Sequence, residues 1–296
     1  MKPKARALLL DRYRVGDGGG FRLRDHDPAD TAGLAGRDAG EALLAEGVQQ
    51  LSALQTRLYA AGRWSVLVVL QGMDAAGKDG TIKHVLTGVN PQGVDVTAFK
   101  APGPEALAHD FLWRVNRVLP ARGRIGILNR SHYEEVLVVR VHPELLALQR
   151  LPEAVADQRF WRHRLEDIAG FERYLARQGT LILKFFLHLS KEEQRRRLLA
   201  RLEEPGKLWK FDAGDLAERA RWDEYMGAFE AAIAATAAPH APWFVVPADH
   251  KWFARLVVVE AISEALSGID LRVPAPDAAQ AAALEQARRA LEAEAP

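Results

Sequence analysis

The chain has 296 residues, of which 48% are hydrophobic and 27% charged, and its formal net charge is +1. This length can bury a sizeable core in one large domain, and the near-neutral charge argues against general nucleic-acid binding, which usually requires a basic domain. Because the chain contains no cysteine, disulfides, zinc–thiolate sites and thiol nucleophiles are excluded. The first apolar run, residues 7–10, is too short for a signal peptide, and no run approaches the roughly 18 residues of a membrane helix. We therefore expect a cytoplasmic protein with no membrane partner.

The hydrophobic pattern alternates between strands and helices along the chain. Residues 1–35 show no clear period and are predicted to form an irregular arm. Continuous apolar runs predict strands at 66–70, 94–100, 124–129, 181–189 and 243–246. Apolar residues at helical spacing predict helices within 36–60, 104–119, 152–178 and 252–266. This alternation predicts an α/β fold in which a parallel sheet has helices on both faces.

The chain is predicted to have three parts: an N-terminal arm and helix, a main domain with an inserted segment, and a C-terminal tail. Residues 1–60 are expected to form an N-terminal arm and helix, and residues 61–272 the main domain. Within that domain, residues 190–225 interrupt the pattern with two charged helices joined by a turn, beginning at a Ser190 and Glu193 capping box. The Ala-, Glu- and Arg-rich residues 273–296 predict a loosely attached helical tail.

The segment GMDAAGKDG, residues 72–80, contains the pattern G-x-x-x-x-G-K between a predicted strand and a predicted helix. This is the context that a phosphate-binding loop requires. Gly72 and Gly77 permit backbone angles that let consecutive N–H groups face a phosphate, and the helix that follows adds partial positive charge. Lys78 supplies a charge that can follow a transferred phosphoryl group. The alternative is a simple glycine turn between a strand and a helix.

The loop departs from the usual pattern at Asp79, where a magnesium-binding hydroxyl normally follows the lysine. Asp74 lies inside the loop, where a bare carboxylate would repel bound phosphates. We therefore predict that Asp74 is a ligand for a divalent cation, Mg²⁺ or in its place Mn²⁺.

The strand predicted at 124–129 ends in Asn129 and Arg130, and Glu134 follows closely. Polar residues at the carboxyl edge of a parallel sheet lie where open α/β sheets bind ligands. Arg130 can grip phosphate oxygens in a bidentate manner, and the alternative is a solvated loop in which Arg130 pairs with a nearby glutamate.

Residues 195–210 carry a cluster of basic side chains, and Arg197 and Arg201 share one helical face. Phosphoryl transfer needs cations over the phosphate oxygens and a lid that excludes water. We therefore predict that this segment is a basic lid, although many such runs are only solvated helices with Glu–Arg pairs.

The chain resembles the family-2 polyphosphate kinases in several ordered segments: GMDAAGKDGTIKHVLTGVNPQGV, FKAPGPEALAHDFLWR, LPARGRIGILNRSHYEEVLVVRVHPE, KLWKFDAGDLAERARWDEYM and APWFVVPADHKWFARL. The likeness runs from about residue 10 to residue 270, nearly the whole chain. It implies a thymidylate-kinase-like P-loop fold of three layers with a helical lid. It also implies a Mg²⁺-dependent, reversible transfer of the terminal phosphate between polyphosphate and AMP, ADP or ATP, with guanine nucleotides as further candidate substrates.

The resemblance and the motifs together give the predicted site. By position, Asp74, Lys78 and Arg130 are the predicted catalytic residues, and Asp74 and Glu134 the predicted metal ligands. The predicted phosphate- and nucleotide-binding residues are Gly72, Met73, Ala75, Ala76, Gly77, Asp79, Gly80, Lys83, Lys100, Asn129, Arg197, Arg201, Lys207 and Lys210.

Two positions indicate a particular branch of that family. Many members have Asp where this chain has Asn129, and Asn where it has Glu134. The exchange resembles the branch that phosphorylates both AMP and ADP, and Glu134 then takes part of the metal-binding role. The N-terminal helix and the apolar surface also suggest a homo-oligomer, either a dimer or a tetramer.

Three alternatives remain open from the sequence. An ATP-dependent nucleoside or nucleotide kinase would share the loop and the lid. A polyanion- or RNA-binding module would use the basic helix, but the chain offers no aromatic motif of the RNP type. A degenerate P-loop scaffold would behave in the same way after Lys78→Ala.

Overall fold

A computed structural model describes residues 3–34, 36–152, 156–210, 212 and 214–294, and among these the side chains of all but Pro3, Lys207, Trp209 and Lys210. The described residues form one sheet of six strands: β1 (Arg14–Val15), β2 (Ser65–Gln71), β3 (Val94–Ala98), β4 (Ile125–Asn129), β5 (Thr180–His188) and β6 (Trp243–Pro247). The strand order is β1-β6-β5-β2-β4-β3, and every pairing is parallel except that of β1 with β6. The predicted parallel sheet is confirmed.

Helices pack on both faces of this sheet, and the described residues form twelve helices in all. They are α1 (Pro3–Asp11), α2 (Arg37–Ala61), α3 (Lys78–Val85), α4 (Pro104–Leu107), α5 (Trp113–Asn116), α6 (Val138–Val141), α7 (Gln158–Arg177), α8 (Lys191–Glu203), α9 (Gly214–Ala220), α10 (Trp222–Thr236), α11 (Lys251–Ser267) and α12 (Ala278–Ala293). Short 3-10 turns at Leu23–Asp25, Pro91–Gly93, His132–Glu135, Pro143–Gln149 and Pro205–Lys210 connect some of them. None of the helices in the described part of the chain is long and apolar enough to cross a membrane.

Strand β2 explains the three-layer architecture, because all seven of its residues are buried. Its residues alternate between two hydrophobic cores, since successive side chains of a strand point to opposite faces. Val68 belongs to the core that includes residues of α2 and α11, whereas Val69 belongs to the core that includes residues of α7 and α10. Strand β2 is therefore central, and the phosphate loop leaves its carboxyl end between β4 and β5.

The prediction of an irregular arm over residues 1–35 is wrong for its first part. Residues 3–11 form α1, and β1 then adds an antiparallel edge to β6. Leu10 is fully buried, and Arg6 forms an ion pair with the buried Glu260 of α11. A nine-residue helix shows too few turns for its period to be read from sequence, and its docking on α11 supplies the stability that its own propensity lacks.

The single helix predicted over 104–119 is also wrong. Two four-residue helices, α4 and α5, lie there instead. The Asp110 side chain accepts a hydrogen bond from the Leu112 amide at 2.9 Å, so a local turn replaces the helical ladder between them. The predicted strand over 94–100 ends at Ala98, and its residues are only partly buried or exposed because β3 is an edge strand.

The strands predicted at 66–70, 124–129, 181–189 and 243–246 and the helices predicted at 36–60 and 252–266 are confirmed. Of the helix predicted over 152–178, α7 forms residues 158–177, and residues 153–155 lie outside the described part of the chain. The charged segment 190–225 contains α8 and α9, with the Ser190 hydroxyl accepting from the Glu193 amide at the start of α8. The tail forms α12, which begins with a capping box between Asp277 and Gln280 and has only exposed side chains.

Candidate active site

The phosphate loop, residues 72–77, joins β2 to α3 in the conformation that its glycines allow. The φ angles of Gly72 and Gly77 are 153° and 105°, in a region that side chains rarely adopt. A Cβ at Gly72 would lie 3.0 Å from the carbonyl oxygen of Leu187 on β5, so a larger residue would press against this backbone. Ala75 also has a positive φ of 63°, and such strain in a non-glycine residue is typical of ligand-binding segments.

Lys78 is the first residue of α3, and its side chain folds back over the loop. Its ammonium donates to the carbonyl oxygens of Gly72 at 2.6 Å and of Met73 at 3.2 Å. Burial, and then the nearby charge of Arg130, lower the pKa of Lys78 to about 8, although Asp74 partly opposes this shift. Lys78 is therefore held at the inner wall of the loop, where an incoming anion would stabilise its charged form.

Arg130 follows β4 and connects the two predicted metal ligands. One of its terminal nitrogens donates to Asp74 Oδ1, and the other donates to Glu134 Oε2 at 3.2 Å. Arg130 has a positive φ of 60°, and the chain leaves β4 at this residue. Burial raises the pKa of the Glu134 carboxyl, with Arg130 and Lys78 opposing that shift. Asp74, Lys78, Arg130 and Glu134 thus lie together in the structure.

Asn129 and Asp79 also meet in the structure. The Asn129 amide nitrogen donates to Asp79 Oδ1 at 2.5 Å. This contact ties the end of β4 to the first turn of α3, and it shows why an amide rather than a second carboxylate suits position 129 in this chain.

Two clefts open on either side of the Asp74–Arg130 contact. The first, which we call the acidic cleft, has a volume of about 260 Å³ and includes the carboxylates of Asp74, Glu134, Asp212, Asp215 and Glu218 in its lining. Burial, followed by the charge of Asp74, raises the pKa of the Asp215 carboxyl. Such crowding of carboxylates favours cations, so an anion would enter this cleft together with a divalent metal ion.

The second cleft, which we call the basic cleft, has a volume of about 550 Å³ and runs along residues 74–81 of the phosphate loop and α3. Its cationic lining residues are Lys78, Lys100, Arg130, Arg196, Arg197, Arg201, Lys251 and Arg255. A groove with this many cations beside a phosphate loop is suited to an elongated polyanion.

Some of the other predicted site residues line the clefts and others do not. Lys100 and Gly80 line the basic cleft, whereas Lys83 is exposed on α3 and lines neither cleft. Arg201 also lines the basic cleft and pairs with Asp215 at 2.9 Å. The side chains of Lys207 and Lys210 lie outside the described part of the structure.

Sequence reasoning missed Lys251 and Arg255, which line the basic cleft from the first turns of α11. They follow β6 directly, and residues after the carboxyl ends of parallel strands converge on one edge of the sheet. The rule that predicts Arg130 after β4 therefore also covers the residues after β6. Glu218 and Tyr225 in the acidic cleft gave no comparable signal, because their positions depend on how α9 and α10 fold back.

The residues present fit a divalent cation. Asp74 and Glu134 both contact the guanidinium of Arg130, so two carboxylates already converge on one cationic group. Mg²⁺ is commonly held by one or two carboxylates together with substrate phosphates and water. Within the described residues, no group of three or more acidic or histidine side chains forms a complete metal cage. The substrate would therefore have to supply the remaining ligands.

Comparisons with known proteins agree with this geometry. The ADP-polyphosphate phosphotransferase of Rhodopseudomonas palustris is 47% identical over 285 residues, covering 96% of this chain and 99% of that protein. The AMP/ADP-polyphosphate phosphotransferase of Meiothermus ruber is 47% identical over 271 residues, covering 91% and 97%.

A solved structure and a family model complete the comparison. The crystal structure of polyphosphate kinase 2 from Arthrobacter aurescens TC1 matches with a TM-score of 0.85 and 43% identity, covering 96% of both chains. This match confirms the predicted P-loop kinase fold. The family model of polyphosphate kinase 2 (PPK2) matches residues 35–273. The chain therefore belongs to the polyphosphate kinase 2 family.

Proposed function

We propose that this chain is a polyphosphate-dependent nucleotide kinase. It reversibly transfers the terminal phosphate of polyphosphate to AMP, ADP or both, giving ADP and ATP. The observation that carries the proposal is the meeting of a basic and an acidic cleft at Asp74 and Arg130, beside the phosphate loop. Membership of the family and the names of the two relatives support the same activity.

The charges of the clefts support a proposed position for each of the two substrates. Polyphosphate, with a negative charge on every unit, lies in the basic cleft with its terminal phosphate at the phosphate loop. The nucleotide lies in the acidic cleft, where Asp74 and Glu134 would hold the divalent cation that neutralises its phosphates. The two phosphate chains then approach each other end to end at the boundary between the clefts, as an in-line transfer requires.

The transfer needs no nucleophilic side chain and no general base. A terminal phosphate oxygen of the nucleotide, already ionised near neutral pH, bonds to the last phosphorus of polyphosphate. The anhydride bond behind that phosphorus breaks, and the shortened polyphosphate keeps the electron pair. Lys78 and Arg130 offset the charge that develops on the transferred group, and the fixed loop amides add to this stabilisation.

A bound Mg²⁺, or Mn²⁺ in its place, would neutralise phosphate charge and help align the two phosphate chains. Asp74 and Glu134 are the residues that would hold it. In the absence of nucleotide, Arg130 already balances these carboxylates, and bound phosphates offer it new partners.

A donor exchange tests the proposal. The protein is incubated with AMP or ADP and Mg²⁺, with either long-chain polyphosphate or ATP as donor, and the nucleotides are separated by chromatography. We expect new ADP and ATP with polyphosphate and none with the Lys78→Ala variant. Transfer supported by ATP alone would establish the alternative, an ATP-dependent nucleotide kinase.

The wider setting is also part of the proposal. We propose that the enzyme works in the cytoplasm and has no nucleic-acid or membrane partner. A homo-oligomer, either a dimer or a tetramer, stays a prediction, and light scattering in solution would test it.

A further inference from the structure

Three consecutive carbonyl groups of the phosphate loop are capped by two side chains of α8. The Gln194 amide nitrogen donates to the carbonyl oxygen of Asp74 at 2.9 Å. One terminal nitrogen of Arg197 donates to the carbonyl oxygens of Ala75 and Ala76, both at 3.0 Å. The outer side of the loop, away from its phosphate-binding amides, is therefore braced by α8.

The guanidinium of Arg197 is fully occupied by protein acceptors. Besides the loop carbonyls, it donates to the carbonyl oxygens of Ala248 at 2.6 Å and Asp249 at 3.1 Å, and its Nε donates to Glu193 at 2.7 Å. An arginine has five N–H groups, and these contacts supply five acceptors. The side chain is only 5% exposed. A phosphate could bind Arg197 only by breaking bonds that hold the loop.

The neighbouring Gln194 is itself fixed in orientation. Arg219 of α9 donates to Gln194 Oε1 at 2.9 Å, which leaves the amide nitrogen facing the carbonyl oxygen of Asp74. The α8 side chains therefore hold the backbone of Asp74, while Arg130 holds its carboxylate.

The carbonyl contacts determine where the loop amides point. In a trans peptide the C=O and the following N–H point in opposite directions. A carbonyl of Asp74 or Ala76 that is fixed toward α8 turns the N–H of Ala75 or Gly77 away from α8. Such amides are what a phosphate loop offers to its ligand.

We propose that Gln194 and Arg197 are positioning residues that hold the phosphate loop in its binding conformation before any substrate arrives. This assigns Arg197 a different role from the phosphate contact that the sequence predicted. The expected effect on catalysis rests on the proposed function, whereas the bracing itself is a property of the substrate-free protein.

Hydrogen–deuterium exchange of the full-length, substrate-free protein tests the bracing directly. In Arg197→Lys, a linear ammonium cannot span four carbonyls, so we expect the peptide covering residues 72–80 to exchange at least about tenfold faster. A peptide from β5 should exchange as in the wild type. Gln194→Ala, which removes a single donor, should have a smaller effect in the same peptide and provides the test if Arg197→Lys does not fold.

Arg201→Lys is the matched control, because Arg201 lies one turn further along α8, lines the basic cleft and pairs with Asp215 rather than with the loop. It should leave exchange of the substrate-free loop unchanged and mainly raise the KM for polyphosphate. Arg197→Lys should instead lower kcat by the same factor with AMP and with ADP.

The proposal is overturned if Arg197→Lys and Gln194→Ala both leave loop exchange at the wild-type rate, or if Arg197→Lys raises only the polyphosphate KM. Because the exchange measurement uses no substrate, its result stands even if the donor exchange contradicts the proposed function.

Discussion

Arg130 donates a hydrogen bond to Asp74 where the acidic and basic clefts meet, and this contact joins the residue after β4 to the loop after β2. The guanidinium also bonds to Glu134, so it balances the two carboxylates proposed to hold a metal ion. Arg130 has a φ of 60°, a conformation that costs about 1–3 kcal/mol in a non-glycine residue. The fold thus places a cation at the proposed point of transfer in the substrate-free protein.

Asp74→Asn should abolish most of the turnover while leaving the fold intact. The amide keeps the shape of the side chain but removes the charge that holds a divalent cation, so we expect kcat/KM to fall by about a hundredfold or more. A coupled assay of ATP formation from ADP and polyphosphate measures this. Asp95→Asn is the control, because Asp95 lies on β3, pairs with Arg124 and lines neither cleft. Near-normal activity of Asp74→Asn would contradict the metal-ligand assignment.

The rate should depend on pH through Lys78. Burial, and then Arg130, lower the pKa of Lys78 to about 8, so its charged fraction declines as the pH rises through that value. Since the charged form offsets phosphate charge, kcat/KM should fall on the alkaline side with an apparent pKa near 8.

Bound phosphates favour the charged form of Lys78, so the corresponding pKa in the kcat profile should be higher than in the kcat/KM profile. The two profiles are measured with polyphosphate at limiting and at saturating concentration. An identical alkaline limb in both would contradict the placement of Lys78 against the transferred phosphate.

The residue pair Asn129 and Glu134 should influence the choice between AMP and ADP. Exchanging both, as Asn129→Asp with Glu134→Asn, places a carboxylate beside Asp79, which now accepts from the Asn129 amide at 2.5 Å. It also removes one of the two carboxylates that contact Arg130. We expect the ratio of kcat/KM for AMP to that for ADP to change by about tenfold, in favour of ADP. Equal losses with both nucleotides would show that these positions do not set acceptor preference.

The parts of the site that are marked by a local sequence pattern could be predicted from the sequence. The loop from Gly72 to Lys78 and the residue after β4, Arg130, follow from glycine spacing and from the rule for the carboxyl ends of parallel strands. Both are local patterns attached to strongly apolar strands, and the structure brings these residues together.

The role of Arg197 could not be predicted in this way. A run of arginines on a helix looks alike whether each side chain faces solvent, a ligand or buried carbonyls. Arg195 and Arg196 pair with glutamates on the surface, whereas Arg197 is buried against the loop. Only the docking of α8 beside the phosphate loop separates these roles, and that docking depends on contacts far apart in sequence.

A buried ion pair supports the segment that carries Arg130 and Glu134. Lys184 of β5 bonds to Glu172 of α7, and both side chains are almost completely buried. The Tyr133 hydroxyl accepts from Lys184 at 3.1 Å and donates to Glu172 at 2.8 Å. Since Tyr133 lies between Arg130 and Glu134 in sequence, this pair anchors the segment from beneath.

Lys184→Met should destabilise the protein by about 3–5 kcal/mol, because it leaves the buried Glu172 carboxylate with the Tyr133 hydroxyl but without a counter-charge. Burial already raises the pKa of Glu172, and loss of Lys184 removes the main influence that opposes this. The folded state then binds a proton more readily than the unfolded state, so stability should increase as the pH falls from about 7 toward 5.

Urea unfolding of Lys184→Met at these two pH values measures the effect, and adding Glu172→Gln should recover much of the loss at pH about 7 while removing its pH dependence. Arg272→Met, which breaks the exposed pair with Asp270, is the control and should change stability by less than about 0.5 kcal/mol. If Lys184→Met were equally unstable at both pH values, the loss would come from packing rather than from the stranded charge of Glu172.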